Sequence, residues 1–337
     1  EELRSGMNNL RVVPEGTEAE EVVAFTLVGG EDAHFARFLL GNRWKDQPPT
    51  TSEQDNMDVL HIVLTMELDP NSRRYVDASM EMTGQSLDDA FDTCVLDFVT
   101  LGSSIAIDSV TDPATGNELS YTNNGERLFI ELPGPVADGD EFKVRLDYSG
   151  TPTPTGEHSF LDGGYFRRTH AGAPVIFTGG QPYFARTWFP CKDVPEDKFT
   201  IETHITVPQV EYNGYPFTVV SNGKLMSVDE ADGKRTYHWS EGHKIASYLV
   251  SLAASNYRVA EATYTALDGE TTMPVAHYLY PEYFASEGGE APNTVTAIEY
   301  FAKMFGEYPF LDEKYVTATW GINYGMEHQT CTSMRPG

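Results

Sequence analysis

Two stretches of the 337-residue sequence hold side chains that could meet a charged ligand. Near the end, Gly321-Ile-Asn-Tyr-Gly-Met-Glu-His-Gln-Thr330 runs from a strand into glycines and then sets a carboxylate beside a histidine. Gly325 permits close backbone approach by a ligand. Glu327 there can accept a charge-assisted hydrogen bond from an ammonium group. An ordinary edge-strand acid would account for the same residues. Earlier, Gly179–Pro195 packs aromatic and cationic side chains between glycines and prolines, the composition of a rigid loop that presents side chains. Within it Arg186 and Asp193 are spaced to pair across a turn. Gln181 reads either as ligand-facing or as part of a structural corner joining two sheets.

Other chemistries leave no trace in the sequence. There is no glycine-rich phosphate loop and no GxSxG nucleophile turn. HExxH, which would put two zinc ligands on one helix face, is absent. The nearest stretch, His238-Trp-Ser-Glu241-Gly-His243, is one residue too long for the inverted zinc motif and falls in a region read as strand and turn. Cys94, Cys191 and Cys331 have no metal spacing and allow at most one disulfide. Asp plus Glu number 51 against 23 Lys plus Arg, a formal charge of −28. Such a charge repels phosphate backbones and anionic headgroups, which argues strongly against nucleic-acid and peripheral membrane binding. No apolar run is long enough to span a bilayer. The acidity, a start at Glu1 and a poorly patterned lead-in fit a secreted or periplasmic protein, and the chain reads as a fragment.

The elements that must position these residues are mostly strands. Residues 1–57 are weakly patterned. From Val59, period-two alternation puts Leu60, Ile62, Leu64, Met66 and Leu68 on one face, and Val76, Ala78, Met80 and Met82 continue it after an Asp69-Pro70 turn. Strands come next at 93–99, 105–110, 128–132 and 142–148, the pattern of a β-sandwich or saddle. Residues 149–198 read as a long ordered loop. Strands resume at 199–207, Val219–Ser221 leads into an Asn222-Gly223 hairpin turn, and 248–254 is another apolar strand. Beyond about Arg258, strands at 264, 273–280 and 315–320 flank one helix, 293–305. Its stripe is Val295, Ile298, Phe301, Ala302 and Phe305, with Asn293 as N-cap and Gly306 just past its end.

The order of these features resembles a known family. A saddle is followed by Q-x-x-x-A-R-x-x-F-P-C-x-D-x-P, an S-Y-L-V strand, an E-Y-F helix with Y-P-F, and G-x-M-E-x. This is similar to the gluzincin zinc aminopeptidases, the family of aminopeptidase N and leukotriene hydrolase, over roughly residues 58–337. The resemblance implies a mostly β fold: an N-terminal β-saddle over 58–258, then the start of an α+β thermolysin-like catalytic domain over 259–337, after an extension over 1–57. It implies that Gln181 helps hold a substrate's free amino group and that Glu327 is a buried carboxylate recognising the α-ammonium. The backbone near Gly325 and Met326 would run beside the bound peptide. Arg186, Phe189, Pro190, Cys191, Asp193 and Pro195 match the structural signature around Gln181. Tyr324 and His328 depart from the motif, where the family has Gly and Asn.

The implied parent is a metallo-aminopeptidase acting on peptides with a free N-terminus. Its zinc ligands, base and oxyanion donor lie beyond Glu327, so this stretch is expected to bind no zinc and to be inactive alone. Cut there, it would expose the apolar face of helix 293–305. A non-catalytic scaffold of the same fold is the alternative. A plain adhesion or sugar-binding sandwich would explain residues 58–150 but not the Gln181 loop followed by the Glu327 motif.

Overall fold

The computed structural model describes residues 50–152 and 163–335, and the backbone of residues 9–10 and 25–26, which pair as a short antiparallel ladder. The chain from Thr50 onward forms a unit of its own. The lead-in expected over 1–57 therefore lies outside the described residues up to Pro49, apart from that ladder. Its last part is regular: Thr51 caps a short helix, α1 (Ser52–Asp55), by accepting from the Gln54 N–H, and Met57 already begins a strand.

The period-two alternation becomes the first hairpin, β1 (Met57–Leu68) and β2 (Tyr75–Ser86). The buried set is Met57, Val59, Ile62, Leu64, Met66 and Leu68. Leu60 drops out of the expected set because the register shifts between Val59 and His61, a bulge that flips the phase of the strand. Val76 is likewise exposed, beside a shift between Tyr75 and Ala78. Next come β3 (Phe91–Asp97), β4 (Ala106–Thr111), β5 (Tyr121–Asn123), β6 (Arg127–Val136) and β7 (Glu141–Gly150).

The stretch read as one long loop, 149–198, holds a hairpin: β8 (Gly164–His170) and β9 (Ala173–Gly179). Ala171 and Gly172 turn it, both with positive φ. Polar residues alternate poorly in β9 because all seven of its residues are buried, so the period-two signal is missing. Then come β10 (Phe199–Pro208), β11 (Thr218–Ser221), β12 (Lys224–Ala231), β13 (Lys234–Ile245) and β14 (Leu252–Ser255). Asn222-Gly223 is not a hairpin turn. It carries the chain from β11 in one sheet to β12 in another, and the hairpin turn is Asp232-Gly233, with φ of 50° and 72°. The strand expected at 248–254 is shortened by a 3-10 turn at Ser247–Leu249.

Seven strands form the main sheet, in the order β12-β13-β10-β1-β2-β7-β4. All its pairs are antiparallel except β10 with β1, where His204 stands opposite Thr65. A three-stranded sheet, β3-β6-β5, and a four-stranded one, β8-β9-β14-β11, share its core.

At Arg258 the chain leaves these sheets for another: β15 (Arg258–Thr265), β16 (Thr272–Leu279), β17 (Tyr315–Thr319) and β18 (Cys331–Met334), in that spatial order. The last two pairings are parallel. Helix α2 (Ala291–Phe305) spans the β16–β17 crossover. It begins two residues before the expected Asn293, because Pro292 fits the first turn, where no amide donor is needed. It ends at Gly306, whose φ is 97°. Ala291, Ile298 and Ala302 are buried, whereas Phe301 and Phe305 of the expected stripe are exposed, together with Tyr300 and Met304. A second, small core gathers Tyr264, Met273, Val275, Ile298 and Ala302. Val316, Trp320, Met326 and Cys331 instead join the saddle's core. The three cysteines are buried and unbridged.

Candidate functional site

Strand β9 ends at Gly179 and is followed by Gly180, where the chain grazes the Tyr248 turn. A Cβ on Gly180 would lie 2.5 Å from the Tyr248 carbonyl oxygen, so only glycine fits. Gln181 comes next, exposed at the mouth of the loop. The chain then folds back, with the Phe184 N–H donating to the Gly180 carbonyl at 2.8 Å, and 185–194 are buried.

A charge network fixes this loop. The expected pair forms: Arg186 Nε donates to Asp193 Oδ2 at 3.0 Å. Arg186 Nη1 also reaches Asp97 Oδ1 at 3.3 Å. Asp97 further accepts from Arg127 Nε at 2.9 Å, Gln54 Nε2 at 3.0 Å and the Asp193 N–H at 3.0 Å. Ser247 Oγ donates to Asp193 Oδ1 at 2.7 Å. Asp97 and Cys191 also exchange backbone bonds, of 2.8 and 3.1 Å. Burial pushes the Asp193 carboxyl up. Burial would pull Arg186 down, but the carboxylates of Asp193 and Asp97 hold it above its ordinary value. Every buried charge here has partners, the condition under which such a network is tolerated. Asp97, Arg127, Gln54 and Ser247 carried no sequence signal, since their spacing to Arg186 exists only in the fold.

The Glu327 segment is built differently. After β17, Trp320 is buried and donates from Nε1 to the Tyr324 carbonyl at 2.6 Å. Tyr324, the first departure from the motif, packs edge-on against that indole at 5.3 Å. Met326 and Ser333 exchange two backbone bonds of 2.9 Å, closing an arch. The Met326 N–H is therefore spent inside the chain, while Gly325 stays exposed. His328, the second departure, points inward: it is buried against Trp320 and bonds Ser333 Oγ through Nδ1 at 3.1 Å. Burial pushes this imidazole down to about 3, so it is neutral at physiological pH. Glu327, between buried Met326 and buried His328, is turned outward and exposed. In this chain the neighbours alternate inward and leave the carboxylate facing solvent.

Tyr248 links the two regions. Its backbone is what Gly180 packs against. Its phenol is pushed up, first by partial burial and then by the charge of Glu327. Tyr248 thus packs against the residue before Gln181 and also feels the charge of Glu327, a link its place in an apolar strand does not announce.

Among the described residues, no three His, Cys, Asp or Glu side chains stand together so as to hold a metal ion. The His238–His243 stretch lies along β13 and its members turn to separate partners. His238 faces Asp229 at 3.0 Å, His243 faces Asp312 at 2.8 Å, and Glu241 is buried. Zinc does not fit these donors. No helix among the described residues is long and apolar enough to cross a membrane.

Known proteins resemble this chain in sequence and in fold. The chain is 30% identical over 133 residues to leucine aminopeptidase 2 of Vanderwaltozyma polyspora, covering 39% of this chain and 18% of that protein. It is 24% identical over 205 residues to leukotriene A-4 hydrolase of Xenopus laevis, covering 61% and 32%. The chain thus spans a third or less of the length of these two relatives. Its fold matches that of an M1 zinc metallopeptidase from Deinococcus radiodurans, with a TM-score of 0.68 at 21% identity over 83% of this chain and 60% of that one. The model of the peptidase M1 N-terminal domain matches residues 58–249, and the chain belongs to that family.

Proposed function

We propose that this chain is the N-terminal part of a zinc-dependent aminopeptidase that removes N-terminal residues from peptides. In this reading residues 58–258 are the saddle domain and 259–337 the beginning of a thermolysin-like catalytic domain. The chain supplies the surface that recognises the substrate's α-amine. The observations that support the reading are the outward-facing Glu327 and Tyr248, whose backbone packs against Gly180, the residue before Gln181, and whose phenol feels the charge of Glu327.

Glu327 accepts a charge-assisted hydrogen bond from the α-ammonium, and Gln181 adds a neutral acceptor with no second repelling charge. A peptide without a free amine leaves the carboxylate unpaired as the substrate displaces its water. The peptide backbone passes over Gly325. A Cβ there would make only ordinary contacts, 3.5 Å from the Ser333 carbonyl oxygen, so the chain's own packing does not demand glycine. A ligand lying close overhead gives that glycine a reason.

Hydrolysis needs a Lewis acid, a base and an oxyanion donor. In this proposal zinc and its ligands belong to the longer parent, and this chain alone neither binds catalytic zinc nor cleaves peptides. The acidity is the ground for assigning the parent to a secreted or periplasmic setting.

The test is a titration of the chain with L-leucinamide and with N-acetyl-L-leucinamide, monitored by NMR. Binding of the free amine only, lost in Glu327→Gln, is expected. Equal response to both compounds would sink the amine reading, and zinc-dependent peptide turnover by this chain would sink its assigned inactivity.

A further inference from the structure

Beside the Glu327 arch lies a set of buried charges that amine recognition does not use. Lys314, just before β17, is buried. Its ammonium donates to the Ser221 carbonyl at 2.8 Å and to the Gly223 carbonyl, and stands 4.5 Å from the centre of the Trp239 ring. Burial pulls Lys314 down to about 8, against the pull of Cys331, Glu241 and Glu313, and it still carries its proton at neutral pH. Glu313 accepts from the Gly242 N–H at 2.9 Å. Burial and the neighbouring Glu241 push Glu313 up to about 7. Apolar side chains would fill such a space at lower cost, so a buried Lys with two carboxyls calls for an account in terms of geometry.

These groups converge on the Asn222-Gly223 turn. Lys314 grips the carbonyls on either side of Asn222. Gly223 has a φ of 68°, and a Cβ there would lie 2.0 Å from the Ser240 carbonyl oxygen. On the other side the turn receives the arch. Asn222 Nδ2 donates to the Gln329 carbonyl, and the Gly223 N–H donates to Thr330 Oγ1 at 2.8 Å. The Thr330 hydroxyl in turn donates to Glu241 Oε2 at 3.1 Å. Thr330 has a φ of 57°, a conformation a β-branched residue rarely adopts and which persists only where surroundings enforce it. The Glu327 arch is therefore pinned twice: by the Met326–Ser333 bridge, and between those two residues by the seat at Thr330.

We propose that Lys314 and Thr330 are positioning residues for amine recognition: Lys314 sets the Asn222-Gly223 turn, and the turn, through Thr330, fixes where Glu327 meets an N-terminal ammonium. This rests on the assignment of Glu327 to amine recognition. It makes a saddle-domain turn, distant in sequence, the reference surface for the carboxylate.

The test compares Thr330→Val, which keeps the shape and removes the hydroxyl, with Thr330→Ser, which keeps the hydroxyl, and with Lys314→Met. Amide hydrogen exchange is read at Met326 and Ser333 and, as a control, along β1 and β2. L-leucinamide affinity is measured on the same samples. Thr330→Val and Lys314→Met should raise exchange in the arch about tenfold or more, with the control unchanged, and weaken L-leucinamide about fivefold or more, while Thr330→Ser stays near the parent. Equal behaviour of Val and Ser, or faster exchange with affinity unchanged, would overturn the proposal. Should Lys314→Met fail to fold, the Val–Ser contrast decides alone. If the parent chain does not distinguish L-leucinamide from its N-acetyl form, the amine assignment fails, and the exchange contrast still tells whether the seat holds the arch.

Discussion

The loop that carries Gln181 and the arch that carries Glu327 are held by different means. In the loop, side-chain charge is the frame: Arg186, Asp97 and Asp193 lock into one another out of water, and Gln181 hangs at the edge. In the arch the frame is mostly backbone: a two-bond bridge between Met326 and Ser333 and a borrowed turn under Thr330. A buried ion network is geometrically strict but fails badly when one member is lost. A backbone arch tolerates changes of side chain, and in this one Tyr324 and His328 pack against Trp320 while Glu327 faces outward.

The largest effect should come from the loop. Arg186→Met leaves Asp193 and Asp97 buried without their shared cation and should cost about 3–5 kcal/mol in urea unfolding. A loss under about 1 kcal/mol would show that water or rearrangement replaces the guanidinium, and the contrast between loop and arch would fall.

In the arch the weak point is acid. His328 has its pKa depressed in the folded state, so its stability contribution is complete above the unfolded value near 6.5 and is lost as pH falls toward 3. The loss should approach roughly 5 kcal/mol, at about 1.4 kcal/mol per pKa unit. His328→Asn should flatten that slope in pH-dependent unfolding, and an unchanged slope would place the acid sensitivity elsewhere.

Under the arch the sign reverses. Glu313 is raised, so its stability contribution is complete below the unfolded value of 4.5 and is lost as pH rises through about 7. Glu313→Gln should therefore be more stable than the parent by about 1–2 kcal/mol at pH 8, with the gain fading at pH 5. The smallest effects belong to the exposed side chains themselves. Glu327→Gln and Gln181→Ala should each alter unfolding by no more than about 0.5 kcal/mol, while acting on amine affinity. A large stability change in either would mean that the fold, and not a ligand, requires it.

Legibility in the sequence divides along the same line. Strands with one face buried wrote themselves as alternation, as in Phe199, Ile201, Thr203, Ile205 and Val207. Strand β9, buried throughout, did not, and disappeared into a supposed loop. Arg186 and Asp193 were legible because they are close in the chain, whereas Asp97 was not. Asn222-Gly223 misled because a dipeptide suited to positive φ serves any sharp turn, including one that changes sheets. Glu327 was found by type and neighbours, but its exposure depends on where Met326 and His328 point, which spacing alone does not fix.

The parallel pairing of β1 with β10 bears on how the chain is made. Every other junction in the main sheet joins antiparallel neighbours, whereas this one waits for a segment synthesised far later. Until Phe199–Pro208 emerges, β1 presents an open row of amides and carbonyls beside an apolar face, the kind of edge on which two growing chains can pair. Closing it demands a contact of long sequence separation, which slows folding. A synonymous slow-translation site shortly after β7 would lengthen that vulnerable interval, and faster translation through β8 and β9 would shorten it.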